Sequence, residues 1–164
     1  MRRTVALVAG LLLLAAVNWG IMRRESQLAG GIAVLLELAP VDPRSLMQGD
    51  YMALRFKVAN EIPGRHLNQQ TADGRIIVRL DERGVGRFLR RDDGSALNPG
   101  EIAMRYRVRH GTVKFATNAY FFQEGTAGAF EAARYGEFRA APSGDLLLAN
   151  LRGANLERLG PPVR

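Results

Sequence analysis

The sequence predicts a mainly β protein, in which an N-terminal transmembrane helix precedes a β-barrel or β-sandwich-like domain of about seven to eight short strands and one short helix. Two observations support this fold class. Residues 4–22 form an apolar run without a charged side chain. Beyond residue 30, segments of alternating apolar and polar residues are separated by turns rich in Gly, Pro, Asn and Asp, as in short antiparallel strands.

The composition limits the possible classes of function. Four of the 23 basic residues flank the apolar run, which leaves 19 basic against 16 acidic side chains in residues 25–164. So balanced a domain lacks the positive charge of a nucleic-acid-binding protein, and we expect no nucleic-acid partner. The chain has no cysteine, which excludes disulfides, thiol catalysis and thiolate metal sites.

The apolar run predicts a membrane anchor over residues 1–29. Its 19 uncharged residues would extend about 28 Å as a helix, close to the thickness of a hydrocarbon core. Trp19, near its C-terminal end, suits the membrane interface. A cleaved signal peptide is the first alternative, but cleavage after Ala16 or Gly20 would place Leu14 or Asn18 at the −3 position, where a small residue is needed. A buried core helix is the second alternative.

The orientation of the anchor follows from its position more than from its charges. Arg2 and Arg3 precede the run, and Arg23 and Arg24 follow it, so the arginine counts are balanced. A very short N-terminal tail before a single span favours a cytoplasmic N-terminus. We therefore expect a single-pass protein of the inner (cytoplasmic) membrane, with its C-terminal domain in the periplasm of a Gram-negative cell.

The β-rich domain is expected over residues 30–155, followed by a loosely ordered tail over 156–164. A long polar loop is predicted over 61–73, and a short helix over 125–134, where apolar residues recur at helical spacing. Period-two alternation, or a short apolar run between turn signals, predicts strands over 32–38, 51–59, 75–81, 85–90, 101–110, 113–122, 135–140 and 145–151.

The stretch 38–58 is the most informative part of the domain. Pro40 and Pro43 stiffen a loop, after which a Gly-Asp turn leads into the strand predicted over 51–59. In that strand Leu54 and Phe56 alternate with Arg55 and Lys57. We therefore expect Leu54 and Phe56 in the core and the two basic side chains at the surface.

The same stretch resembles a known family. Residues 49–56 read Gly-Asp-Tyr-Met-Ala-Leu-Arg-Phe, and this run resembles the motif after which the GDYXXLXY family is named. Residues 36–44, 120–125 and 131–137 resemble further parts of the family pattern, whereas Phe56 replaces the last tyrosine of the motif. The resemblance implies a membrane-anchored bacterial protein beside a polytopic membrane protein. It implies no catalytic residues.

The candidate binding residues form two groups. Asp42, Arg44, Asp50 and Tyr51 belong to the proline loop and the Gly-Asp turn. Turn chemistry favours a structural role for Asp50, whose side chain can cap the turn by hydrogen bonds to its own backbone. Arg105 and Arg107 belong to an arginine stripe on one face of the strand 101–110. That stripe is either a solvated sheet face or a docking surface for anionic headgroups or an acidic partner.

Enzymatic chemistry has weaker support. Ser45 before a Gly-Asp strand resembles the nucleophile of type I signal peptidases, and Lys114 would be the base if burial lowered its pKa. The proline and threonine that typically follow that serine are missing. His66 and His110 lack metal-ligand spacing, no phosphate-binding glycine loop is present, and we expect no cofactor.

These observations favour a binding or accessory module of a membrane protein assembly, with contacts to membrane lipid through the anchor and to a polytopic membrane protein. Two alternatives stay open. One is the membrane-tethered Ser/Lys hydrolase. The other is an envelope sensor that binds a small ligand between the proline loop and the 61–73 loop.

Overall fold

The structure is a computed structural model that describes residues 2–39, 47–48, 51–62 and 73–160. A long helix, α1 (Arg2–Gly30), comes first and passes almost directly into strand β1 (Ile32–Glu37). By length and composition α1 can cross a membrane, and none of its most apolar window is buried against the rest of the protein. Helix α1 ends at Gly30, and its apolar window is not buried as the core-helix alternative requires.

The rest of the described chain forms three antiparallel sheets. Their strand orders are β1-β9-β10, β2-β3-β8 and β5-β4-β6-β7. A parallel bridge from Leu35 to Val85 and an antiparallel bridge from Leu38 to Phe56 connect them, so the sheets curl around one core as a half-barrel. The strands after β1 are β2 (Met47–Gln48), β3 (Tyr51–Ala53), β4 (Gly74–Leu80), β5 (Gly86–Arg91), β6 (Glu101–Arg109), β7 (Thr112–Lys114), β8 (Ala119–Phe121), β9 (Tyr135–Ala140) and β10 (Leu146–Arg152). The predicted fold class is confirmed.

Phe56 lies at the centre of the core. Its side chain is 1% exposed, and its ring meets those of Phe138 and Phe115 edge-on, with centroids 5.2 and 6.2 Å away. A Cβ at Gly136 would lie 2.9 Å from the Phe56 ring, so only glycine fits there. The prediction that Leu54 and Phe56 are core residues is confirmed.

The strand predicted over 51–59 is wrong in its second half. It ends at Ala53, and a single turn of helix, α2 (Lys57–Glu61), follows. Lys, Ala and Glu favour helix in this segment, and Ile62 is extended because Pro63 follows it. Arg55 is exposed as predicted, whereas Lys57 is partly buried and forms an ion pair with Glu37.

The strand predicted over 113–122 is two strands, β7 and β8, in different sheets. Ala116 has a positive φ of 53°, which breaks the extended chain. The Asn118 side chain accepts a hydrogen bond from the Phe115 N–H at 3.3 Å and donates one to the Val113 carbonyl at 3.1 Å. These local bonds replace ladder bonds and divide the strand.

The helix predicted over 125–134 is shorter than expected. The structure has a 3-10 turn over Ala127–Phe130, since glycines at 125 and 128 disfavour a longer helix. Phe130 from this turn is buried and packs on the rings of Tyr120 and Phe122 at 5.2 and 5.3 Å. The turn therefore closes one end of the core.

The chain after β10 is more ordered than the sequence suggested. The Leu159 N–H donates to the Leu151 carbonyl at 3.0 Å, and the Gly153 N–H donates to the Glu157 carbonyl at 2.9 Å. Leu159 also packs against the core. Residues 153–160 thus fold back over β10 instead of forming a loose tail.

Candidate functional site

Two aromatic side chains, Tyr51 on β3 and Phe121 on β8, lie next to each other. Strand β3 runs between β2 and β8, and its register places Tyr51 opposite Phe121. The two ring centroids are 5.7 Å apart. Tyr51 is half-buried, whereas Phe121 is 73% exposed. We call Tyr51 and Phe121 the aromatic pair.

The arginine stripe of β6 faces solvent, but two of its members are paired. Arg105 lies 3.1 Å from the Asp145 carboxylate and Arg109 lies 2.9 Å from that of Asp73. The hydrogen bond from Arg109 holds the pKa of Asp73 below its usual value. Arg107 lies between the two arginines, and no carboxylate of the described chain is within ion-pair distance of it.

A basic cleft lies where α1 meets the β domain. Two adjoining depressions, of about 520 and 460 Å³, share Arg24 and Asp145 in their linings. We call them together the exit cleft. Its basic side chains come from the end of α1 and from strands β6 and β7: Arg23, Arg24, Arg105, Arg107 and Lys114.

Hydrogen bonds fix the geometry of the exit cleft. The Gln27 side-chain amide donates to the backbone carbonyls of Asp145 at 2.9 Å and Arg139 at 3.1 Å. The Ser143 hydroxyl donates to the Asp145 carboxylate at 2.9 Å. The last turns of α1 are therefore fastened to the β9–β10 turn, whose Asp145 also pairs with Arg105 of β6.

Two buried carboxylates have their hydrogen bonds satisfied by the fold. Glu137 is 2% exposed and lies 2.7 Å from Arg152 and 3.2 Å from both Arg139 and Asn150. Glu101 accepts hydrogen bonds from Asn98 and Arg79 at 3.0 and 3.1 Å. The bonds from Asn98, followed by that from Arg79, lower the pKa of Glu101. Both carboxylates stabilise the fold.

The partners of Glu137 are not the polar residues that precede it closely in the chain. In the structure Glu131 and Arg134 are exposed, and the Arg134 guanidinium donates to the Ala133 carbonyl. The actual partners come from β9 itself and from β10 beside it, because cross-strand neighbours are closer than sequence neighbours on the same face.

The family model described as GDYXXLXY protein matches residues 13–151, which is most of the chain and includes strands β1 to β9 whole. The chain belongs to the GDYXXLXY family. Searches among curated proteins and among solved structures gave no match.

The motif of this GDYXXLXY protein divides between core and surface. Met52, Leu54 and Phe56 are buried, whereas Tyr51 belongs to the aromatic pair. The other predicted binding residues of this stretch, Asp42, Arg44 and Asp50, lie outside the described residues. The same is true of most of the 61–73 loop, so the sensor alternative stays a prediction.

The hydrolase alternative loses one of its premises. Lys114 is exposed on β7 of the GDYXXLXY protein, so it lacks the burial that would activate it as a base. Its proposed partner, Ser45, lies outside the described residues. Within the described ranges, no group of three His, Cys, Asp or Glu side chains is placed to hold a metal ion.

Proposed function

We propose that this GDYXXLXY protein is a membrane-anchored contact module: α1 crosses the inner membrane, and the β domain on the periplasmic side binds a polytopic membrane protein. No catalysis is proposed. Helix α1 supports the anchoring, since its exposed apolar surface has no partner within the described chain. The family motif directs attention to the surface near Tyr51.

The aromatic pair is the observation that carries this proposal. A phenylalanine that is 73% exposed leaves a large apolar ring in water, which is unfavourable unless a partner covers it. Tyrosine and phenylalanine are enriched at protein interfaces because they supply large contact area at low entropic cost. Here the exposed ring lies 5.7 Å from the ring of a motif residue, tilted by 42° to it, so the proposed contact surface includes part of the motif.

A membrane-embedded partner can reach this surface. Leu38, which pairs with Phe56, follows the last residue of α1 by eight positions. Eight residues span at most about 29 Å when fully extended, so Leu38 lies within that distance of the helix end, and the last residue of the motif, Phe56, is paired with it. The anchor also confines both proteins to one membrane, which raises their effective concentration.

The test compares two exposed apolar side chains in the full-length protein. We expect Phe121→Ala to abolish co-purification of the membrane partner from native membranes while changing the free energy of unfolding by less than about 0.5 kcal/mol. Leu97→Ala is the matched control, because Leu97 is also exposed, at 46%, but lies in the loop between β5 and β6, outside the sheet that holds the aromatic pair. It should retain the partner.

Two outcomes would contradict the proposal. Either Phe121→Ala keeps the partner as well as Leu97→Ala does, or it releases the partner only together with a loss of several kcal/mol of stability. The second outcome would mean that Phe121 supports the fold through Tyr51 and is not itself a contact.

A further inference from the structure

We propose that the exit cleft binds the phosphate headgroup of an anionic phospholipid from the leaflet on the domain side of the membrane. This inference rests on the proposed membrane anchoring but not on the aromatic pair. Its ligand is defined by chemistry: a phosphodiester that carries a net negative charge and is held at the membrane surface.

The first argument is the convergence of charge. The end of α1 and the β6–β7 hairpin, which are distant in sequence, bring five basic side chains to one cleft, and the described residues of its lining contain one carboxylate, that of Asp145. That carboxylate is already engaged by Arg105 at 3.1 Å and by the Ser143 hydroxyl at 2.9 Å. Arg107 and Lys114 are exposed, and a phosphate group would supply the negative charge that the cleft lacks.

The second argument is depth. If the uncharged residues 4–22 span the hydrocarbon core, Arg23 and Arg24 lie at its edge. The lining of the cleft on the helix runs from Gly20 to Gly31, which is roughly 16 Å at 1.5 Å per residue. The headgroup layer is about 5–8 Å thick on each side. The cleft therefore extends through the layer in which lipid phosphates lie.

The third argument is the chemistry of the lining. Guanidinium groups bind phosphate oxygens with two parallel hydrogen bonds, and basic clusters next to a membrane helix attract anionic lipids. Ser26 and Thr117 also line the cleft, but their hydroxyls already donate to the carbonyls of Arg23 and Ala119 at 3.0 Å, so the basic side chains are the donors for a phosphate. Leu147, which is half-buried on β10, adds apolar surface to the lining.

Trp19 offers a local probe of this site. It is the one tryptophan of the chain and lies one helical turn before Arg23. We would reconstitute the full-length protein in phosphatidylcholine nanodiscs that contain a minor fraction of lipid brominated in the acyl chain. Quenching of Trp19 by brominated phosphatidylcholine reports insertion, and stronger quenching by brominated phosphatidylglycerol at the same fraction reports a headgroup preference.

We expect brominated phosphatidylglycerol to quench Trp19 more strongly than brominated phosphatidylcholine does. The relative affinity for phosphatidylglycerol should fall by roughly fivefold for each cleft arginine removed. The test variants are Arg107→Gln and Arg105→Gln/Arg107→Gln. The single variant Arg107→Gln is included because it should stay folded, since it breaks no ion pair within the described residues. The control is Arg83→Gln/Arg87→Gln, which removes the same charge at exposed positions outside the lining.

Each other outcome overturns a defined part of the inference. Quenching by neither brominated lipid would refute the anchoring. Equal quenching by both lipids, or an equal loss of preference in the test and control double variants, would refute a specific headgroup site while leaving the anchoring intact. Inorganic phosphate that removes the preference at matched ionic strength would assign the cleft to free phosphate. A cleft that shows no lipid preference but is needed for partner co-purification would assign it to an acidic protein.

Discussion

The burial of Phe56 was predicted correctly from the sequence, although the strand predicted for its backbone was wrong. The alternation through residues 52–58 predicted burial of Leu54 and Phe56, and both are buried. The burial prediction is correct although the strand ends at Ala53, because the backbone of Phe56 is still extended, with φ −108° and ψ 137°. The side chain therefore keeps the direction that the alternation gave it.

Removal of the Phe56 ring should be severe. Phe56→Ala leaves a cavity between Phe115, Phe138 and Gly136, and we expect a loss of about 3–5 kcal/mol in the free energy of unfolding. Urea unfolding of the full-length protein in detergent measures it. Arg55→Ala is the neighbouring control and should change stability by less than about 0.5 kcal/mol, because Arg55 is exposed. The reverse order of effects would refute the position of Phe56 in the core.

Lys114 shows where alternation fails. Burial of Lys114 beside Tyr120 and Phe122 would require one continuous strand from 113 to 122, with the three side chains on one face. The positive φ of Ala116 interrupts that strand, so the faces before and after it are no longer related. Val113 and Phe115 are buried instead, and Lys114 between them points outward.

At the scale of elements, the loop between β5 and β6 makes an acid-sensitive contact. Hydrogen bonds from the Ser95 side chain and backbone, more than the charge of Arg90, lower the pKa of Asp93 from 3.8 to about 2. Because the folded state favours the ionised carboxylate, this contribution to stability is complete above about pH 5. It is lost progressively as the pH falls through about 4 towards 2.

We expect Asp93→Asn to remove this part of the acid sensitivity. Urea midpoints measured between about pH 2 and 6 should fall less steeply in the variant than in the wild type. Ser95→Ala should have the same tendency, since it removes the largest cause of the shift. If the wild type and Asp93→Asn have parallel pH profiles, the Asp93 contact does not contribute to stability.

Most elements follow from local pattern, and the exceptions have local causes. Strands β1, β4, β5, β6, β9 and β10 each begin and end within one residue of the predicted bounds, because their alternation or apolar run is bounded by turns. The helical turn α2 was missed because the alternation of its first residues also fits a strand. The division between β7 and β8 depends on the Asn118 side chain, whose hydrogen bonds alternation does not encode.

At the scale of the whole molecule, the orientation of the domain is the first expectation to test. The chain has no cysteine, so one introduced cysteine gives a signal without background. In spheroplasts of a Gram-negative host, Ala96→Cys, at an exposed position, should react with a membrane-impermeant maleimide. A cysteine inserted after Met1 should react only after permeabilisation. The opposite pattern would reverse the proposed topology.

The exit cleft could not be predicted as a site from the sequence. Arg24 and Arg107 are far apart in the sequence, and the tertiary structure brings them to one depression. The sequence did identify the β6 arginines as candidates and Arg23 and Arg24 as the border of the apolar run. What it lacked was the fastening of α1 to the β9–β10 turn by Gln27, which depends on tertiary structure.

Helix α1 and the β domain are joined by a very short connection. Gly31 alone separates α1 from β1, and the Gln27 amide donates to the carbonyls of Asp145 and Arg139 at 2.9 and 3.1 Å. If α1 crosses the membrane as proposed, the rotation of α1 about its own axis sets the direction in which the aromatic pair faces. Each residue inserted into the helix before Gln27 would then turn the domain by about 100° around the helix axis, so that an intact fold would present a different surface to the proposed partner.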